Sequence, residues 1–257
     1  MTTFAAVSSV DWKYAAVMLL AILTGAALLR RSQTDLRLAW WEKLGLGLGA
    51  FCGGMLGAKL PFAVADWEGL RSGAVWLADG KTIMCGLVGA YFGVELAKWT
   101  LEIRIRTGDS FAVPAAVAIG IGRIACFIGG CCYGTQTTLP WGVAFPTAPG
   151  LRHPTQLYEA AFHFSAAVVL AQLRRRGMFR GQLFKLYVVC YLVYRFCTEF
   201  IRPEAPLWLH LTGYQWAALW LLPVFSWLIW RAAGQPTPGG EDAPPLGQAA
   251  PAVETRR

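Results

Sequence analysis

Residues 120–159 read GIGRIACFIGGCCYGTQTTLPWGVAFPTAPGLRHPTQLYE, and this stretch decides the reading of the chain. It begins as an apolar run able to cross a bilayer, carries Arg123 within it, and then breaks up in glycines, cysteines and Pro140. A guanidinium at bilayer depth costs roughly 3 kcal/mol or more, so it normally faces a polar cavity and marks a working site. The remainder of the chain is expected to form the cage around that charge.

Composition agrees with a membrane setting. Of 257 residues, 56% are hydrophobic and 15% charged, and the mean hydropathy is +0.44; an ordinary soluble domain of this length is less apolar. The net charge of +8 does not indicate nucleic acid, because the basic residues come in short bursts between apolar runs rather than along one groove with interleaved aromatics. Seven spans are expected, at about 14–29, 44–63, 82–99, 111–133, 156–173, 183–201 and 213–230, most of them near the ~20 residues that cross ~30 Å of hydrocarbon. Lys and Arg alternate in density between them. Fifteen lie in the loops or at the span ends of one side, five on the other side, and Lys59, Arg123 and Arg195 lie deeper within spans. The positive-inside rule then puts the amino terminus outside and the carboxyl terminus in the cytoplasm. The expected fold is all-α, a polytopic bundle over residues 1–233, followed by a Pro- and Gly-rich disordered cytoplasmic tail at 234–257.

The first span has its charges, Arg30 and Arg31, after the apolar core rather than before it, which argues against a cleaved signal. Tyr14 at its outer end reads as an interfacial anchor, with a ligand contact as the alternative. The second and third spans carry small residues in register, Gly49 to Gly57 and Gly86, Ala90 and Gly93, which permit close helix approach. Lys59 is expected to snorkel to the headgroups, and Glu95 to be structural, with Lys98 a possible partner.

Depth brings the two intramembrane arginines together. Entering near Phe111, the fourth span reaches Arg123 after twelve residues, roughly 18 Å into the core. The sixth enters from the same side near Leu183 and reaches Arg195 after twelve. Two planar, permanently charged forks at one depth suit a lipid phosphate; purely structural pairing with Glu159 and Glu199 is the alternative. Tyr191, Arg195, Glu199 and Arg202 share one helical face. Tyr187 and Tyr194 are expected to serve packing or the interfacial belt. In the fifth span, Pro154 stands where the helix starts and Gln156, Glu159 and His163 follow along one side. His153, just outside it, is the first candidate for proton transfer.

Four blocks, GRIACFIGGCCYG (122–134), LPWGVAFP (139–146), RHPTQLYE (152–159) and YLVYRFCTEFIRP (191–203), resemble in order the bacterial prolipoprotein diacylglyceryl transferases. They span most of the second half of the chain; the first half resembles the family in span pattern and glycine-rich pieces. The resemblance implies transfer of a diacylglyceryl group from phosphatidylglycerol to the lipobox cysteine of a prolipoprotein, with release of glycerol phosphate, in the bacterial inner membrane and without a cofactor. It implies that Arg123, Arg195 and Tyr191 are catalytic and that Glu199 and Arg202 bind substrate; His153 joins the catalytic candidates, and Gln156, Glu159 and Tyr14 the substrate-site candidates, from their own positions in the chain. A lipid-handling relative without transferase activity is the alternative, because the chain departs from the family pattern. Met84 stands where the third span has histidine, Met55 where the second has arginine, and Cys126 and Cys131 where the fourth has asparagine and glutamate.

Of the seven cysteines, Cys52, Cys85, Cys190 and Cys197 lie in spans as small apolar residues. Cys126, Cys131 and Cys132 are likewise read as packing, with a thiol or disulfide role next. No metal is expected, since C-x4-C-C fits no common zinc spacing.

Overall fold

The structure is a computed structural model that describes residues 12–34, 36–77, 80 and 82–233. Its long helices are α1 (Trp12–Ser32), α2 (Trp40–Ala65), α5 (Ile83–Thr100), α6 (Gly108–Ile128), α7 (Thr155–Arg175), α8 (Leu183–Thr198) and α9 (Gly213–Ala233). Two short helices, α3 (Trp67–Ser72) and α4 (Ala74–Leu77), lie between α2 and α5. Each expected span coincides with one long helix.

Among the described residues, four of these helices, α1, α2, α6 and α9, are long and apolar enough to cross a membrane. The others fall short for identifiable reasons. Helix α5 carries Glu95 and Lys98, paired at 3.2 Å; α7 carries Gln156, Glu159 and His163; α8 has only 16 residues. Polarity is inverted relative to a soluble protein: Leu19, Leu23, Phe51, Val64, Trp99, Trp220 and Trp230 face outward, whereas Arg123, Gln156, Glu159, His163, Arg195 and Glu199 are buried. An apolar exterior around an ionised interior belongs in lipid, where hydrocarbon replaces water as the outer solvent.

Glycines set the packing of α2 on α5. A Cβ on Gly53 would strike the carbonyl of Gly89, and one on Gly89 that of Gly53, so the two backbones touch. Helix α6 packs between α1 and α7, and α8 against α9. One side chain sets the relative depth of the arginine helices: the Asp109 carboxylate, in the first turn of α6, accepts from Gly181 N at 2.6 Å and Leu183 N at 3.0 Å at the start of α8. With their starts tied, α6 and α8 climb together, and Arg123 and Arg195 lie fourteen and twelve residues from that tie, roughly 21 and 18 Å along.

The fold is helical, as expected, apart from a short antiparallel hairpin, β1 (Val143–Phe145) and β2 (Ala148–Arg152), between α6 and α7. Two expectations need correction. Helix α6 stops at Ile128 rather than running to 133, since Gly129 and Gly130 follow and Gly130 adopts φ 64°. Lys59 does not snorkel; it is buried, and its Nζ donates to Val75 O at 3.0 Å, because α4 folds back over the end of α2. The tail at 234–257 lies outside the described residues.

Candidate functional site

Leaving α6, the chain returns along a loop stitched on both sides. Gly134 N donates to His153 O at 2.8 Å and His153 N to Thr135 O at 3.1 Å, while Thr135 N donates to Ile201 O at 2.9 Å. That last bond pulls the 3-10 turn Glu199–Ile201, at the end of α8, toward the start of α7. Arg202 is thereby placed beside α7, and three helices converge on Glu159.

Glu159 is 0% exposed and is the centre of the site. Its Oε2 meets Arg123 Nη2 from α6 in an ion pair, and Arg202 Nη2 donates to the same oxygen at 2.8 Å. Its Oε1 accepts from the Tyr191 hydroxyl of α8. His163, one turn further along α7, has Nε2 at 3.9 Å from Oε1 and Nδ1 hydrogen-bonded to Tyr187 Oη at 2.7 Å. A second carboxylate, Glu199, holds Arg195 at 2.8 Å and accepts from Thr212 Oγ1 at 2.9 Å. The Arg195 guanidinium also lies over the ring of Tyr214, 4.9 Å from its centroid. Gln215 locks this corner, since its Oε1 accepts from Thr212 N at 2.9 Å and its Nε2 donates to Phe196 O at 3.3 Å.

The two units sense each other. Burial, and after it the guanidinium of Arg195, pushes Arg202 below the ordinary arginine range, with Glu159 opposing and Arg123 reinforcing the shift. Guanidiniums nevertheless stay charged at neutral pH. Three of them against two carboxylates leave the buried site with one positive charge in excess. Two of its donors, Arg123 Nε and Arg202 Nε, are buried without a hydrogen-bond partner. A buried, unsatisfied charged donor is costly, and an oxyanion carrying one negative charge would satisfy both charge and donors.

The residues singled out from sequence divide as follows. Arg123, Glu159, Tyr191 and Arg202 form one cluster, and Arg195 with Glu199 the adjoining one. Gln156 braces the loop, donating to Cys131 O at 2.5 Å. His153 is half-buried at the loop, with Nδ1 3.4 Å from Tyr158 Oη. Tyr14 lies against Gly129 at the end of α6. Tyr187 is not a belt residue; it is buried one turn before Tyr191 and bonds His163. Tyr194 does pack, stacked on Phe162 with ring centroids 4.3 Å apart. Thr212, Tyr214 and Gln215 were not anticipated, because nothing in the apolar run of α9 marks which of its residues face Arg195.

Fold and site together define a helical membrane protein with an arginine–carboxylate centre buried among its helices and one positive charge to spare. Residues 3–231 match the family described as prolipoprotein diacylglyceryl transferase. The chain is similar to the phosphatidylglycerol–prolipoprotein diacylglyceryl transferase of Clostridium tetani, 32% identical over 203 residues, or 74% of this chain and 80% of that protein. It is 34% identical over 186 residues to the protein of that name from Geobacter sulfurreducens, covering 70% and 71%. To that of Caulobacter sp. strain K31 it is 31% identical over 242 residues, covering 80% and 76%. The chain belongs to the prolipoprotein diacylglyceryl transferase family.

Proposed function

We propose that this protein transfers a diacylglyceryl group from phosphatidylglycerol to the thiol of a lipobox cysteine in a prolipoprotein, forming a thioether and releasing glycerol phosphate. The observation that carries the reading, beside family membership, is the surplus positive charge of Arg123, Arg195 and Arg202 over Glu159 and Glu199. A phosphodiester headgroup carries one negative charge and balances it.

The thiol loses its proton, and the thiolate sulfur attacks the glyceryl carbon that bears the phosphate oxygen. A C–S bond forms as the C–O bond breaks, and the electron pair leaves with that oxygen. One negative charge on the phosphodiester becomes two on the glycerol phosphate, so charge develops where the arginines point their donors. Oriented donors in a dry site stabilise such a transition state strongly because they need no reorganisation. Arg123 and Arg195 hold the phosphate. Glu159 and Glu199 hold the arginines, and the Tyr191 hydroxyl donates to Glu159, so the forks are in place before the lipid arrives. Tyr14, Gln156 and Arg202 complete the wall of the substrate site. His153 accepts the thiol proton: it is half-buried in the loop before α7, whereas His163 is 0% exposed and bonded to Tyr187. All seven long helices cross the bacterial inner membrane, with the amino terminus outside and the tail in the cytoplasm.

Complementation tests the reading. Expression in a bacterium depleted of its own transferase restores growth and lipid-modified prolipoprotein, while Arg123→Ala and Arg195→Ala do not; a stably inserted wild type that leaves prolipoprotein unmodified refutes it. One observation favours a lipid-handling relative without transfer. Met84, at the position where the family pattern has histidine, is 2% exposed within the apolar core and offers no proton acceptor.

A further inference from the structure

Cys126, Cys131 and Cys132 take no part in the proposed reaction, yet the fold gathers them. Their three sulfur atoms all lie within 4.8 Å of one another, and those of Cys131 and Cys132 are 3.7 Å apart. Neighbouring side chains on an extended chain point to opposite sides. Here Cys132 adopts φ 64°, a left-handed conformation rare outside glycine, asparagine and aspartate, and both thiols face the same way. The conformation is held from outside the loop: Thr155 Oγ1 donates to Cys132 O at 2.8 Å and Gln156 Nε2 to Cys131 O at 2.5 Å. From within, Cys131 N donates to Cys126 O at 3.1 Å. Cys131 and Cys132, on the loop that follows α6, are exposed and Cys126 is half-buried, which leaves an entry path.

We propose that these three thiols form a binding site for a thiophilic d10 metal ion of the Zn2+ class. Zinc–sulfur bonds of about 2.3 Å place ligand sulfurs roughly 4 Å apart, so the cluster closes on an ion with shifts of less than about 1 Å. Thiolates select soft and borderline ions over Mg2+ or Ca2+. Each thiol surrenders its proton, and three thiolates around a divalent ion carry one negative charge. Arg123 lies beside that charge, with Nη1 3.8 Å from Cys126 Sγ. The linear C-x4-C-C spacing hides the site because its geometry depends on one left-handed residue and two braces from α7.

The test uses the full-length, fully reduced protein in detergent, with Co2+ as a spectroscopic probe and neither lipid nor peptide present, so that it stands apart from the transfer assay. One Co2+ per chain gives thiolate-to-metal charge-transfer absorption, Zn2+ displaces it, and protons are released on binding. Cys131→Ser and Cys132→Ser, both on the exposed loop, and Cys126→Ser each weaken binding by more than the roughly 10–100-fold expected for loss of a supporting residue. Cys52→Ser and Cys190→Ser leave it unchanged. Absence of charge-transfer absorption from the reduced wild type, or absorption that survives the loop substitutions, overturns the proposal.

Discussion

Replacing Glu159 by Gln keeps the shape of the side chain and removes its charge. Arg123 and Arg202 then face each other across a neutral amide, and the excess positive charge of the site rises from one to two. Removing one partner of a buried ion pair costs about 3–5 kcal/mol, because the remaining charge is left uncompensated. That is a large share of the ~5–15 kcal/mol that holds a typical domain folded. At ~1.4 kcal/mol per decade, a loss of 3 kcal/mol changes the folded-to-unfolded ratio by about two orders of magnitude. Thermal unfolding in detergent therefore shows a clear drop in midpoint for Glu159→Gln. Glu159→Asp separates charge from position: it retains the ion pairs but withdraws the carboxylate by about one C–C bond, ~1.5 Å. It stays near wild-type stability and loses on the order of 10²-fold in transfer rate, the penalty for misplacing a catalytic fork. A Glu159→Gln protein that matches wild type in midpoint and turnover would refute the claim that this carboxylate organises the site.

Tyr191→Phe removes a charge-assisted hydrogen bond to the Glu159 carboxylate, worth about 1.5–3 kcal/mol, so its midpoint falls by less than that of Glu159→Gln while its transfer rate also falls. Arg195→Lys keeps the charge but not the fork that meets Glu199 and lies over Tyr214; the rate drops by about 10²–10³, measured with saturating lipid. Gly89→Ala drives a methyl into the Gly53 carbonyl, prises α5 from α2 and costs about 1–3 kcal/mol in a melt. Because the arginine centre is built from α6, α7, α8 and α9, the folded fraction of that variant still binds phosphatidylglycerol.

Much of the centre was legible because membrane depth is counted in residues. Arg123 and Arg195 each lie twelve residues from an expected entry point, and the Asp109 tie between α6 and α8 shows why the count works: it aligns the helix starts. The buried face Gln156–Glu159–His163 was legible from helical spacing for the same reason. What stayed hidden depends on contacts between distant residues. Arg202 reaches Glu159 only because Thr135 N binds Ile201 O, 66 positions away in sequence. Tyr187 looked like one more aromatic on an apolar helix, and its role appears only when His163 arrives from α7. Lys59 was misread because a lysine near a helix end normally finds headgroups, whereas here α4 offers it the carbonyl of Val75.

The central claim, that paired arginines hold a lipid phosphate while a thiol displaces it, is tested most directly with purified protein, phosphatidylglycerol labelled in its headgroup glycerol, and a lipobox peptide. The account predicts equal amounts of thioether-linked peptide and free glycerol phosphate from wild type, and neither from Arg123→Ala or Arg195→Ala. A folded wild type that binds phosphatidylglycerol and yields neither product, or an Arg195→Ala protein that yields both at the wild-type rate, would contradict it.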